Sequence, residues 1–291
     1  MTPLRSLAIC AAAIAVFGCT PDATFFEPLP DYAAIHWVNA VPDTGQQDMR
    51  LVDIVSDAGL YDANYRGSNM FYQTIEAGSH TVKIFNSDTT PAISSTFFQE
   101  TTLALTANAS YTFIHAGFAR TGSTPARTVL LIPDTPPTPG AGQVAVRAIN
   151  AGAGLGAVDV FIVRKVVNPA TVDSLPDARA ATNIAFGGQS AYLTVAVDDT
   201  SAAAAQAMRV IFTTAGTKTV LDTNALSNKA PAGVFGTPAL DPIAGSRIAG
   251  SVLTAVLVPR PVAGSKAQQT AADTLRSTVY LVDRRPPSTT P

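Results

Sequence analysis

The chain has 291 residues, a net charge of −2 at pH 7 and a charged fraction of only 14%, with no run of lysines or arginines. That balance excludes the clustered positive face that nucleic-acid binding requires. A composition rich in Ala, Val, Thr, Gly and Pro favours strands and turns, so an all-β protein is expected.

The first element is an apolar run, Leu7 to Phe17, behind a weakly basic start ending at Arg5. It has the length of a signal peptide and is too short to span a membrane. The run ends in Val16-Phe17-Gly18-Cys19, which resembles the lipobox of bacterial lipoproteins, although Phe17 is larger than usual at its place. The resemblance implies that residues 1–18 are a signal peptide cut after Gly18, and that Cys19 becomes the lipidated first residue. Buried acyl chains contribute roughly 0.8 kcal/mol per CH₂, enough for a stable anchor when several act together. Thr20, rather than Asp, follows the cysteine; by the sorting rule of enteric bacteria this implies the outer membrane. Residues 19–31 contain Pro21, Pro28 and Pro30 and read as an extended tether. Cys10 lies inside the discarded segment, which leaves Cys19 alone, no intrachain disulfide, and a fold held by burial.

Beyond the tether the chain repeats itself. Ile35-His36-Trp37-Val38-Asn39-Ala40 and Asp48 match Val146-Arg147-Ala148-Ile149-Asn150-Ala151 and Asp159 at a constant spacing of 111 residues. Tyr65-Arg66-Gly67 and Asn69-Met70-Phe71 match Phe186-Gly187-Gly188 and Ser190-Ala191-Tyr192. Val82 to Phe85 matches Arg209 to Phe212, and Thr128 to Leu131 matches Thr278 to Leu281. One unit therefore covers residues 32–135 and a second covers 142–285, with a stiff Pro-rich linker at 136–141 and a tail at 286–291. In the first unit, seven β-type runs begin near Ala33, Asp48, Asn69, His80, Phe97, Ser110 and Arg127, separated by Gly, Asn, Asp and Pro. Seven strands in about a hundred residues predict an immunoglobulin-like β-sandwich, hence two tandem seven-stranded sandwiches behind a cleaved signal peptide. Tyr111, just before a strand, sits where a tyrosine corner falls. The two are expected in a row, as a short stalk.

Val38-Asn39-Ala40-Val41-Pro42-Asp43, Val158-Asp159-Val160-Phe161 and the turn Ala77-Gly78-Ser79-His80-Thr81-Val82 carry a resemblance to a family. They resemble bacterial domains of unknown function that open with an R-V-V-N-A-x-P-D run and continue with V-D-V-Y. The resemblance implies tandem Ig-like domains on exported or lipid-anchored proteins, and no activity. Gly152-Ala153 replaces the Pro-Asp pair in the second unit, which also lacks the A-G-x-H turn. Its added length falls near Lys165 to Ala180, Asp198 to Ala207, Thr223 to Gly245 and Arg260 to Thr274. In an Ig-like topology the third of these lies at the far end and is either the loop most available to a partner, since loops carry function more readily than strands, or a neutral insertion.

No residue set is assigned to catalysis, to a cofactor or to a metal. His36, His80 and His115 lack zinc spacing, and there is no nucleophile elbow or phosphate loop. His36 aligns with Arg147 and reads as a solvated strand position. Asp53, Asp57, Asp62 and the pair Asp198-Asp199 read as solvated loop acids without calcium-loop spacing. Tyr61, Tyr65, Phe71 and Tyr72 are either a sugar-stacking platform or, in better accord with alternation, sandwich core. The expected function is a non-catalytic binding or adhesion module of the bacterial cell envelope, anchored through Cys19 in membrane lipid. A structural spacer or accessory subunit of an envelope complex is the alternative; a glycan hydrolase, which would need paired acids, comes third. An envelope protein or a glycan is the expected partner, with no nucleic acid.

Overall fold

The computed structural model describes residues 30–55, 58–164, 175–198, 207–222, 228–237, 240–270 and 277–286. From Asp31 onward the chain forms one compact unit. That unit is nearly all β, built from several small open sheets.

Among its described residues the first half carries eight strands, one more than the seven expected: β1 (Tyr32–Ala40), β2 (Gln47–Leu51), β3 (Leu60–Ala63), β4 (Gln73–Glu76), β5 (Gly78–Asn86), β6 (Phe97–Leu105), β7 (Ser110–Ala116) and β8 (Thr128–Asp134). A single helical turn, α1 (Pro91–Ser94), joins β5 to β6. The added strand is β3. It is only four residues long, and Asp62 within it has φ of 48°, so no period-2 run marks it in the sequence. Two sheets form, in the orders β4-β1-β7-β8 and β3-β2-β5-β6. β1 runs parallel to β7, and the remaining pairs are antiparallel. In the immunoglobulin arrangement the first two strands are neighbours in one sheet. Here β1 and β2 lie in different sheets, so the sandwich is wound differently.

In the second half the described strands are β9 (Gln143–Asn150), β10 (Val158–Val163), β11 (Ala181–Ile184), β12 (Leu193–Ala196), β13 (Arg209–Thr214), β14 (Val252–Val258) and β15 (Ser277–Arg284). Their sheets, β12-β9-β14-β15 and β11-β10-β13, repeat the first half's order, including the parallel pair β9 with β14. No continuous strand matches β6 among the described residues. Short segments pair with β13 instead: Leu221 N–H donates to Phe212 O and Val210 N–H to Asn228 O.

Alternation places one face of each strand in a core. Ile35, Trp37, Met49, Ile84, Leu103 and Phe113 fill the first sandwich, with the Trp37 and Phe113 rings 4.7 Å apart. Val146, Val160, Phe212, Leu253 and Leu257 are among those filling the second. Each such fully buried side chain contributes roughly 1.5–3 kcal/mol. The opposite faces of β1, β7 and β8 and of β9, β14 and β15 meet in a third core, where Val38, Ile114 and Ile132 pack with Ile149, Val256 and Leu281. The sandwiches therefore stand face to face as four layers, and the end-to-end stalk expected from the Pro-rich linker is not formed. Arg284 fastens that linker by donating to Thr138 Oγ1 at 2.5 Å and Pro137 O at 3.4 Å.

The registers also correct the repeat. Asp48 pairs with Phe85 and Asp159 with Thr213, so Ile84 corresponds to Phe212. Gln73 and Leu193 occupy matching places against β1 and β9, so Tyr72 corresponds to Tyr192. Ile132 and Leu281 sit opposite Thr112 and Thr254, so Asp134 corresponds to Asp283. In all three places the sequence match is displaced by one residue.

Candidate functional site

Gly18 and Cys19 lie outside the described residues. Among the described ones, the most elaborate polar constellation stands between the two central sheets. His36, on β1, is 0% exposed and Arg147, on β9, is 1% exposed. The solvated strand position expected from their alignment is thus corrected: their strand face points at the other half. The Arg147 guanidinium lies 2.7 Å from Asp134 Oδ1 on β8 and 3.6 Å from Asp283 Oδ2 on β15. It donates to Gln189 Oε1 at 2.8 Å, Thr254 Oγ1 at 3.0 Å and Thr112 Oγ1 at 3.3 Å, and stacks 4.8 Å from the Tyr192 ring centre.

Around this fork the halves repeat each other. Tyr72 and Thr112 both donate to Asp134 Oδ2 at 2.8 Å. Tyr192 donates to Asp283 Oδ2 at 2.7 Å, and Thr254 donates to the same oxygen. His36 stacks on Tyr72 at 3.8 Å, points Nδ1 at the Asn69 carbonyl (3.2 Å) and brings Nε2 to 3.5 Å from Asp283 Oδ1. Burial pushes the Asp134 carboxyl above its usual range; Arg147 opposes this and Asp283 adds to it. Burial likewise drives both tyrosine hydroxyls far up, assisted by the two carboxylates. Burial alone would lower the Arg147 pKa, but Asp283 and Asp134 outweigh it and hold the guanidinium charged. A buried ion set like this costs desolvation, so its gain lies more in fixing one arrangement than in net stability. Asp134 Oδ2 and Asp283 Oδ2 are hydrogen-bonded inside the cluster, and Asp283 Oδ1 faces His36 Nε2 at 3.5 Å without a hydrogen bond between them.

Two further devices recur in both halves. Asn39 Oδ1 accepts Val41 N–H at 3.2 Å and its amide donates to Ala63 O; Asn150 Oδ1 accepts Gly152 N–H at 3.0 Å and its amide donates to Ile184 O. Asp48 accepts Asp62 N–H and Asp159 accepts Asn183 N–H, both at 2.8 Å, and each donor residue has positive φ. These carboxylates hold left-handed turns, which explains the matched Asn and Asp of the repeat.

The other candidates disperse. His115 is buried, with Nδ1 2.7 Å from Gln47 Oε1, and burial, assisted by Arg127, lowers its pKa to about 3. His80 is buried near the start of β5, between Glu76 O (2.9 Å) and Asp53 Oδ2 (3.2 Å). Asp198 was expected in solvent but is buried, accepting Met208 N–H at 2.9 Å and Ser246 Oγ at 2.7 Å. Asp57 and Asp199 lie outside the described residues. Of the four aromatics, Tyr65 is buried and donates to Pro259 O, Phe71 packs against the second core, and Tyr72 stacks on His36. Only Tyr61 is exposed, so they form no platform. Tyr111 does tie its hydroxyl back to the chain, accepting Thr106 N–H at 3.0 Å. Among the described residues no group of three His, Cys, Asp or Glu is placed to hold a metal ion.

Of the loop additions, Pro259 to Lys266 lies against the first half, where Val262 N–H donates to Pro42 O at 2.8 Å. Residues 233–237 and 240–245 lie against each other as the two arms of a small hairpin, with Val234 and Ile243 exchanging both backbone hydrogen bonds. Gly233 and Gly245 make its neck: a Cβ on Gly245 would fall 2.1 Å from Gly233 N. The hairpin turns Val234, Phe235, Leu240 and Ile243 outward.

A DUF4397 domain, a domain of unknown function, is found at residues 33–161, which spans the first half and continues through β9 into β10. No curated protein sequence matches the chain. Among solved structures, the chain is similar to the Bacillus anthracis TIE protein at 9% identity over 78% of this chain, with a TM-score of 0.20. It spans 34% of that protein's length, and so slight a likeness carries no argument.

Proposed function

We propose that this is a lipid-anchored protein of the bacterial cell envelope, held in the outer membrane through Cys19 after cleavage at Gly18, and that it acts as a non-catalytic binding or adhesion module. In this reading it is a tandem pair of Ig-related sandwiches. The observation that carries it is the use of the polar residues: Arg147, Asp134 and Asp283 clamp two sandwiches together, which leaves a rigid body whose loops are free to meet a partner. The hairpin with Phe235 and Leu240 outward is the first place to look for that partner, an envelope protein or a glycan. A structural spacer or accessory subunit is the second reading, favoured by the same face-to-face clamp. A glycan hydrolase ranks last, because the two facing carboxylates are sealed around an arginine.

Labelled palmitate and detergent-phase partition test the anchor. Wild-type protein takes the label and enters the detergent phase, and Cys19→Ser does neither; label retained by the variant contradicts the assignment. Glycan-array binding abolished by Phe235→Ser supports adhesion. Co-purification of one stoichiometric envelope protein supports the spacer reading, and turnover lost on changing a single carboxylate overturns both.

A further inference from the structure

The contact between the halves has the form of an isologous dimer interface, in which residue i of one partner touches j of the other and j touches i. Three rows of matched side chains make it. The polar row sets His36, Thr112 and Asp134 against Arg147, Thr254 and Asp283. Below it Val38, Ile114 and Ile132 face Ile149, Val256 and Leu281, and then Ala40, Ala116 and Leu130 face Ala151, Val258 and Val279. The ionic contacts cross reciprocally: Arg147 of the second half reaches Asp134 of the first, and His36 of the first reaches Asp283 of the second. The symmetry fails at one place. Position 36 is a histidine and position 147 an arginine, and the arginine's fork alone reaches both carboxylates and both threonines.

We propose that the chain is a fused dimer: its central sheet faces are a pairing surface whose partner is the other half, and Arg147 is the residue that specifies this pairing. A first half facing a copy of itself would bring two Asp134 carboxylates together without a guanidinium between them. A second half facing its own copy would bring two guanidiniums with two Asp283 carboxylates, and so two forks to the place that one fork fills here. Only the mixed pair gives one arginine to two aspartates, so the clamp selects contact within the chain over contact between chains. Removing one member of a buried ion set leaves its partners unpaired, which weakens such a contact far more than area alone predicts.

The test keeps the full chain. A protease site is placed in the 136–141 linker, the folded protein is cut, and the halves are followed by size-exclusion chromatography and titration. Cut wild-type protein should elute as one 1:1 body. Arg147→Met should raise the dissociation constant between the halves by about a hundredfold or more, while circular dichroism shows each half still β-structured. Arg147→Lys keeps the charge but not the fork, and should give a rise of about tenfold; it carries the comparison where the Met variant does not fold. Separation of the cut wild-type halves at micromolar concentration overturns the proposal. So does an unchanged dissociation constant in Arg147→Lys.

Discussion

At matching positions the outer sheet of the first half carries Arg50 and Lys83, and that of the second carries Phe161 and Ile211. The first surface is open: Arg50 lies 4.6 Å over the Phe85 ring, Lys83 lies 4.3 Å over Phe97, and Lys83 pairs with Glu100 at 3.3 Å. The second is closed: Leu175 and Val220 pack on Phe161, Val163 and Ile211 to form a fourth small core, and Lys218 donates to Leu175 O at 3.2 Å. The difference gives one of the loop additions a purpose. An apolar outer face needs a cover, and among the described residues Leu175, ahead of β11, and Val220, after β13, supply it. Where the described residues offer no such cover, cations lie flat across the rings and keep the sheet wet.

Substitutions can break that contrast. Phe161→Ala should cost about 3–5 kcal/mol by denaturant unfolding, because it empties a covered core; Arg50→Ala at the matching place should cost under about 1 kcal/mol, as a half-exposed pair would. Equal costs would mean that the second outer face is not covered. Leu175→Ala should cost about 2–3 kcal/mol and open the chain near Arg179 to limited proteolysis, whereas Lys83→Ala should leave the digest unchanged.

Acid should separate the halves in a different way. His115 lies on β7, and the matching residue of β14 is the apolar Leu257. Its folded pKa of about 3 lies below the unfolded value of 6.5, so the unfolded chain binds the proton first. Stability present above pH 6.5 is lost as pH falls, by about 1.4 kcal/mol per pH unit until the folded value is reached. His115→Gln should flatten thermal unfolding temperature against pH between 6.5 and 4; an unchanged slope would assign acid sensitivity elsewhere. Asp134 acts with the opposite sign, since its raised pKa favours the folded state as pH drops through the carboxylate range.

Much of the architecture could be read from residues alone. The β class followed from composition, and Asn39 with Asn150 and Asp48 with Asp159 marked the repeat because each holds a backbone turn that no apolar residue can hold. The clamp could not be read, for two physical reasons. A polar residue on a strand face looks the same whether that face meets water or another polar row, so His36 and Arg147 read as solvated. And in a strand a slip of one residue exchanges the two faces. The displaced matches at Tyr192, Phe212 and Thr278 therefore hid that Tyr72 answers Tyr192 and that Asp134 answers Asp283. The strand order was also beyond reach, since alternation shows which residues are buried and not which sheet a strand joins.

The central claim is that the two sandwiches act as one clamped body, and calorimetry of the intact chain tests it most directly. One transition, with calorimetric and van't Hoff enthalpies equal, is the predicted result. Arg147→Met should resolve it into two. Two separate transitions in the wild-type protein would contradict the account.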